Sequence, residues 1–98
     1  MHRTMNLSVR GRLWKYPGTG GWYFVNIEPS KSIRIKADST KYGAGFVKVE
    51  AKIGTTKWIT ALFPQNKTKS YLLSIKSSIR KKEGLLEGDT VSVKLRLV

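Results

Sequence analysis

The chain has 98 residues, of which 19 are lysine or arginine and only 6 are aspartate or glutamate, so its formal net charge is +13 at pH 7. It contains no cysteine, which excludes disulfide bonds and thiolate metal sites. The N-terminal segment lacks a long apolar core and no later run is long enough to span a membrane, so we expect one cytoplasmic domain over residues 1–98 without a membrane partner.

The first half of the chain begins with two predicted strands. Residues 7–13 alternate apolar and polar side chains, which indicates a strand with Arg10 and Arg12 on its outer side. This pattern breaks after Leu13, where we expect a bulge or the strand end. The glycine-rich residues 17–21 are typical of a turn, and a second strand is predicted over residues 22–27.

The segment that follows Pro29 is ambiguous. Residues 32–37 alternate as a strand would, whereas a proline just before them suits the first turn of a helix. From Phe46 a strand is predicted with Lys48 on its outer side, followed by a hairpin at Gly54-Thr55. The return strand is expected to end at Pro64.

The C-terminal stretch, residues 71–98, is typical of a strand, a short helix, a tight turn and a final strand. The hydroxyl of Ser74 is expected to cap the helix, and Gly84 is expected to end it. Alternation in the last strand predicts one buried face and one basic face. The cations predicted to point outward here are Lys76, Arg80 and Lys81 on the helix and Lys94 and Arg96 on the strand.

A shift of 46 positions aligns two half-units, about 22–53 and 69–98. It places Ser32-Ile33-Arg34 on Ser78-Ile79-Arg80, and each half then has the order strand, short helix, loop, strand. The repeat therefore favours a helix over residues 33–37 and predicts a pseudo-twofold axis. It also favours a monomer, because the second half takes the place of a partner chain; a dimer is the alternative.

Two resemblances add to this interpretation. The residues Ile79-Arg80, Gly84-Leu85 and Glu87-Gly88-Asp89-Thr90-Val91 resemble the swapped-hairpin pattern of AbrB-type regulators and MazE-type antitoxins, which pair two short chains into a double-split barrel that binds DNA. The longer segments GWYFVNIEP, GFVKVEAKIGTTKWITALFP and YLLSIKSSIRKKEGLLEGDTVSV are similar to a family of uncharacterised prokaryotic domains, found alone or fused to a YdeI/OmpD-associated bacteriocin-protection domain. That resemblance implies a double-split-type barrel and no established activity.

We therefore expect a mainly β fold. It is a small closed β-barrel of the double-split type, with about six to seven strands, two short helices and an internal pseudo-twofold repeat.

Little in the sequence indicates catalysis. The only histidine is His2 in the N-terminal tail, and the closest acidic pair, Glu87 and Asp89, lies in a turn where Asp89 is expected to cap its own backbone. The serines have no base to activate them. We expect no enzyme activity, no cofactor and no metal; an enzyme acting on an anionic substrate is the weakest of three alternatives.

The charge makes a non-catalytic binding module the leading hypothesis, with nucleic acid bound through phosphate contacts. The rival is a protein-interaction or structural module that works with a separate acidic protein, and solvated surface cations are the structural alternative. Arg34 with Lys48 and Arg80 with Lys94 are expected to form two related basic patches. The candidate binding residues are Arg10, Arg12, Arg34, Lys48, Lys76, Arg80, Lys81, Lys94 and Arg96.

Aromatic side chains divide into two predicted groups. Trp22, Phe24, Trp58 and Phe63 are expected to fill the barrel, which needs bulk inside. Candidates for exposure, where the bases of a single strand stack in many binding proteins, are Trp14, Tyr16, Tyr42 and Tyr71.

Overall fold

The computed structural model describes residues 6–38, 41–42, 45–65 and 70–97, which form strands and two helices. In chain order the elements are β1 (Asn6–Lys15), β2 (Tyr23–Asn26), α1 (Pro29–Asp38), β3 (Lys41–Tyr42), β4 (Phe46–Ile53), β5 (Thr56–Gln65), β6 (Ser70–Ser74), α2 (Ser77–Glu83) and β7 (Thr90–Leu97). The predicted helix after Pro29 is confirmed. The short β3 strand lies between α1 and β4, where the repeat predicts a loop.

Six of the strands close into an antiparallel barrel in the order β1-β2-β6-β5-β4-β7, with β7 pairing back onto β1. Closure depends on the length of β1, whose residues 6–12 pair with β7 while residues 13–15 pair with β2. The β3 strand pairs with β4 at the side of the barrel. The expected mainly β, closed-barrel fold with two helices is confirmed.

The interior of the barrel is almost wholly aliphatic. Strict alternation turns one side of each long strand inward, so that Leu13, Val25, Leu62 and Leu73 are fully buried from four different strands. One residue of each helix, Ile35 in α1 and Ile79 in α2, joins this core. Each such side chain contributes about 1.5–3 kcal/mol relative to exposure to water.

The internal repeat is visible in the strand pairing. Exchanging β1 with β5, β2 with β6 and β4 with β7 leaves every neighbour relation of the barrel unchanged. Two reciprocal backbone hydrogen bonds mark the axis, because Ile27 N–H donates to the Tyr71 carbonyl and Ile75 N–H donates to the Tyr23 carbonyl, both at 2.9 Å. These bonds make Ile27 the counterpart of Ile75 and Tyr23 the counterpart of Tyr71.

The residue alignment of the two halves needs correction, however. The hydrogen bonds make residues 48 positions apart equivalent, whereas the sequence alignment used a shift of 46 positions. In addition, Ile33 is 67% exposed whereas its expected equivalent Ile79 is buried; the buried isoleucine of α1 is Ile35. The spacing of 48 is already set before the helices, because α1 begins at Pro29 and α2 begins at Ser77; Ile33 and Ile79 are therefore not equivalent positions.

The boundaries of α2 are partly as expected. Gly84 ends the helix with a φ of 65°, and the N–H of Leu85 then donates to the Arg80 carbonyl at 2.8 Å. The predicted cap is wrong: the helix begins at Ser77, after an extended Lys76, and Ser74 is the last residue of β6. The two residues between them, Ile75 and Lys76, carry the chain out of the sheet before the helix begins.

Pro64 does not end β5, which continues to Gln65. Beyond Leu62 the strand no longer pairs with β4 and pairs only with β6. Proline has no N–H to donate, and on the side facing away from β6 no hydrogen bond to another strand is lost.

Neither helix in the described part of the chain has the length and apolar content needed to cross a bilayer.

Candidate nucleic-acid interface

The outer face of the barrel carries two distinct surfaces. One is cationic and lies mainly on β4, β7 and β1; the other is aromatic and lies where β1, β2, β4 and β5 approach one another. Both arise from the same alternation that fills the core, because every second residue of a strand points away from it.

Three lysines form a continuous row across the cationic surface, which we call the lysine row. Lys52 on β4 is in register with Lys57 on β5 and with Lys94 on β7. Residues that face each other in this way on one side of an antiparallel sheet have Cβ atoms about 4.5–5.5 Å apart. Like charges directly opposite each other on a sheet are destabilising, so the register sets three cationic side chains beside one another at an energetic cost.

Beside the row lies an ion pair. Arg96 on β7 faces Glu50 on β4 and donates two hydrogen bonds to it, from Nη2 to Oε2 at 3.0 Å and from Nε to Oε1 at 3.3 Å. The hydrogen bonds from Arg96 lower the pKa of Glu50, and the carboxylate in turn raises the pKa of Arg96. Arg96, a candidate from the sequence, is therefore already engaged by a carboxylate.

The lysine row and the ion pair line a shallow depression of about 410 Å³. Asn6 and Ser8 at the start of β1 complete its wall, since Ser8 is in register with Lys94. The depression thus combines uncharged hydrogen-bonding groups with four cations and one carboxylate, Glu50, so its lining has a net positive charge that suits a phosphate.

The remaining strand candidates extend this surface. Arg10 and Arg12 are exposed on the outer side of β1, facing Ser92 and Thr90, and Lys48 is exposed on β4, facing Ala61. Within the described residues none of these three side chains forms an ion pair. All three are therefore available to an anionic ligand.

The helical candidates differ among themselves. Arg34, Lys76 and Lys81 are exposed. Arg80 is half-buried: its guanidinium carbon lies 3.7 Å from the centroid of the Tyr23 ring, and its Nε donates to the Ile75 carbonyl at 3.3 Å. Arg80 therefore holds α2 against β2, and it lines a different depression from Lys94. The two expected basic patches stay a prediction.

Six aromatic residues form the second surface, which we call the aromatic cluster. Neighbouring rings have centroids between 5.2 Å (Phe46 and Phe63) and 6.2 Å (Phe24 and Phe63) apart. Trp22 stacks on Phe24 with an interplanar angle of 5°. The members are Trp14, Tyr16, Trp22, Phe24, Phe46 and Phe63.

The cluster corrects the aromatic predictions. Trp22 is 51% exposed and Phe63 is half-buried, so neither fills the barrel as expected. Phe24 is buried as expected, but it packs against the other rings of the cluster and is not part of the main core. The inward neighbours of Phe24 and Phe63 in sequence, Val25 and Leu62, fill the core instead. Small aliphatic side chains suffice because a barrel of six strands has a narrow interior.

The other aromatic residues differ in how deeply they are buried. Tyr16 is 52% exposed, as expected, but Tyr71 is buried, and burial raises the pKa of its hydroxyl. Trp14 is half-buried, and its indole N–H donates to the Asn26 side-chain oxygen at 2.6 Å. Trp58 packs partly against the core. The side chain of Tyr42 lies outside what the structure describes.

Among the described residues, acidic side chains do not gather into a metal site. In the described ranges no group of three or more His, Cys, Asp or Glu side chains is placed to hold a metal ion, and His2 lies outside those ranges. Asp89 accepts a hydrogen bond from the Leu86 N–H at 2.8 Å, which is the local backbone cap predicted for it.

Comparison with known proteins adds one finding. A family model described as a domain of unknown function, DUF1905, matches residues 10–95, which extend from β1 to β7. No curated protein matches the sequence.

Proposed function

The chain belongs to the DUF1905 family of domains of unknown function, and we propose that it is a non-catalytic, cytoplasmic module that binds nucleic acid through its phosphates. The observation that carries this proposal is the lysine row, Lys57, Lys52 and Lys94, held side by side on three adjacent strands.

The row favours an anionic ligand for an energetic reason. Each pair of facing lysines costs free energy in the unbound protein. A phosphate placed over the row attracts each of the three cations, and this attraction offsets the repulsion between them. In a polyanion the gain is larger still, because every neutralised phosphate also releases condensed counterions.

The extent of the cationic surface favours a polymer over a small anion. Arg10 and Arg12 continue the surface along β1, and Lys48 continues it along β4. At about 3.3 Å per residue, Arg12 lies roughly 13 Å along the strand from Ser8, which neighbours Lys94. One phosphate cannot reach both ends, whereas a chain of phosphates can.

Three of the described carboxylates already have partners within the chain, which favours a binding role over a catalytic one. Glu50 is paired with Arg96, Glu83 accepts from the Thr56 hydroxyl at 2.6 Å, and Asp89 caps its own turn. Carboxylates held by such partners are not free to act as a general acid or base. The similarity of the half-units to AbrB-type proteins, which bind DNA, agrees with the proposal.

A titration of the full chain with fluorescein-labelled DNA and RNA, followed by anisotropy, tests this function. We expect binding at about 50 mM salt that weakens steeply as salt rises. Absence of binding to every oligonucleotide at that salt, together with capture of an acidic protein in nuclease-treated extract, would instead support the rival role in protein interaction.

A further inference from the structure

Three members of the aromatic cluster are unusually accessible. Tyr16, Trp22 and Phe46 are 52%, 51% and 41% exposed, and each contacts a further ring of the cluster. Large apolar side chains that lie together on a surface mark an interaction site in most soluble proteins. The exposed rings therefore form a candidate binding surface for an occupant outside the chain.

Charge around the cluster identifies the class of that occupant. Arg12 precedes Trp14 by two residues on the outer side of β1, and Lys48 follows Phe46 by two residues on the outer side of β4. Cations thus border the rings along two different strands. Flat aromatic faces beside basic groups match the alternation of bases and phosphates in a nucleic acid strand.

A depression beside Trp22 adds a third cationic border. Its volume is about 460 Å³, within the range of small-ligand pockets, and Ser74, Lys76 and Arg80 line it together with Trp22. The adjoining loop leaves the indole uncovered because it is built from glycine: a Cβ atom at Gly20 would lie 3.1 Å from Trp22 Cδ1.

From these observations we propose that the bound nucleic acid is single-stranded, with its bases stacked on Tyr16, Trp22 and Phe46. The inference rests on the proposed function and specifies its ligand. A duplex cannot use this surface in the same way, because its base faces are already stacked on one another inside the helix.

The two surfaces are arranged to be used together. Along the outer side of β1 the chain presents Trp14, Arg12, Arg10 and then Ser8, the register partner of Lys94. That path is about 20 Å long. A strand laid along it places bases on the aromatic cluster and phosphates on the arginines and the lysine row, and single-strand sites on small barrels cover about 4–16 nucleotides.

The test compares three labelled probes of similar charge on the full chain: a 12-nucleotide oligothymidine, a 12-unit abasic phosphodiester and a hairpin duplex. We expect oligothymidine to bind most tightly and to quench tryptophan emission. Trp22→Ala should weaken oligothymidine binding by about 5- to 100-fold and should leave the abasic and duplex probes within about twofold.

Two variants control for folding and for loss of apolar surface. Trp22→Phe keeps a ring and should retain most of the affinity, whereas Leu86→Ala removes a side chain that is 72% exposed outside the cluster and should change nothing. Phe46→Ala provides a second, independent removal of a ring. Thermal unfolding of each variant shows whether the barrel is intact.

The outcomes separate this inference from the proposed function. Equal affinity for all three probes, unaffected by Trp22→Ala and Phe46→Ala, would overturn the single-strand inference and leave phosphate binding standing. Absence of binding to any probe would overturn both. Concentration-dependent dimerisation that Trp22→Ala abolishes, with oligothymidine affinity unchanged, would assign the cluster to a second copy of the chain instead.

Discussion

Ser32 and Arg80 occupy equivalent positions in the two halves of the barrel and make equivalent hydrogen bonds. The Ser32 hydroxyl donates to the Ile27 carbonyl, and the Arg80 Nε donates to the Ile75 carbonyl, each at 3.3 Å and each five residues back along the chain. The two halves have therefore kept one way of anchoring a helix to the preceding strand while changing the residue that does it.

Arg80 should consequently matter for stability more than for ligand binding. Arg80→Ala removes the contact with the Tyr23 ring and the bond to Ile75, and we expect a loss of about 1–3 kcal/mol in the free energy of unfolding by urea. Arg80→Lys keeps the charge but not the planar guanidinium, so it should lose most of the same stability. Lys81→Ala, at an exposed neighbour, is the control and should stay within about 0.5 kcal/mol; an equal loss there would refute the anchoring role.

Repulsion within the lysine row can be measured directly. Lys52→Glu places a carboxylate between Lys57 and Lys94, so it should stabilise the barrel by about 0.5–2 kcal/mol at low salt while it weakens oligonucleotide binding. The gain should shrink in about 0.5 M salt, which screens exposed charges. Lys48→Glu, on the same strand but facing Ala61, should have little effect on stability. If Lys52→Glu proves no more stable than wild type at low salt, the row is not under electrostatic strain.

If nucleic acid binds as proposed, we expect Glu50 to compete with its phosphates for Arg96. Glu50→Gln frees the guanidinium, and we expect tighter oligonucleotide binding with a salt slope steeper by about 0.7 for a single strand. Glu87→Gln makes the same change of charge at an exposed carboxylate outside the cationic surface and leaves the ion pair in place, so it is the matched control. Unchanged affinity in Glu50→Gln would mean that Arg96 does not face the ligand.

The same ion pair sets a pH dependence. Because Arg96 lowers the pKa of Glu50 below its ordinary value of 4.5, the folded state favours the ionised carboxylate. The stabilisation is therefore present above pH 4.5 and is lost as the pH falls through the lowered pKa. Carboxyl NMR titration should show the pKa of Glu50 rising in Arg96→Gln, and binding between pH 6 and 8 should be independent of this group.

Alternation in the sequence was sufficient to place the strand cations on the outer face but not to assemble them. It correctly predicted that Lys48 and Lys94 point outward. Whether two such residues lie side by side depends on the register between β4 and β7, which are far apart in the sequence. Lys57 escaped notice for the same reason, since its importance comes only from facing Lys52.

The predictions for Trp22 and Tyr71 failed for a different reason, whereas Phe24 is buried and Tyr16 exposed as expected. A run such as residues 22–27 looks buried when hydrophobicity alone is weighed, although in a strand it must present every second side chain outward. The sequence did contain the information. The alternation that turns Arg12 outward on β1 also turns Trp14 outward, and the alternation that turns Lys48 outward on β4 also turns Phe46 outward. Only the barrel topology then shows that these outward rings converge.

The lysine row is tested most directly by comparing salt slopes for two variants of equal charge. Lys52→Gln/Lys94→Gln removes two cations from the row, and Lys31→Gln/Lys82→Gln removes two from the helices, where neither lysine belongs to the candidate surface. For the labelled 12-nucleotide oligothymidine, we expect the plot of log K against log salt to become shallower by about 1.4 in the first variant and to change little in the second. Equal changes in both variants would show that the protein attracts polyanions through its overall charge, and that the row is not a binding site.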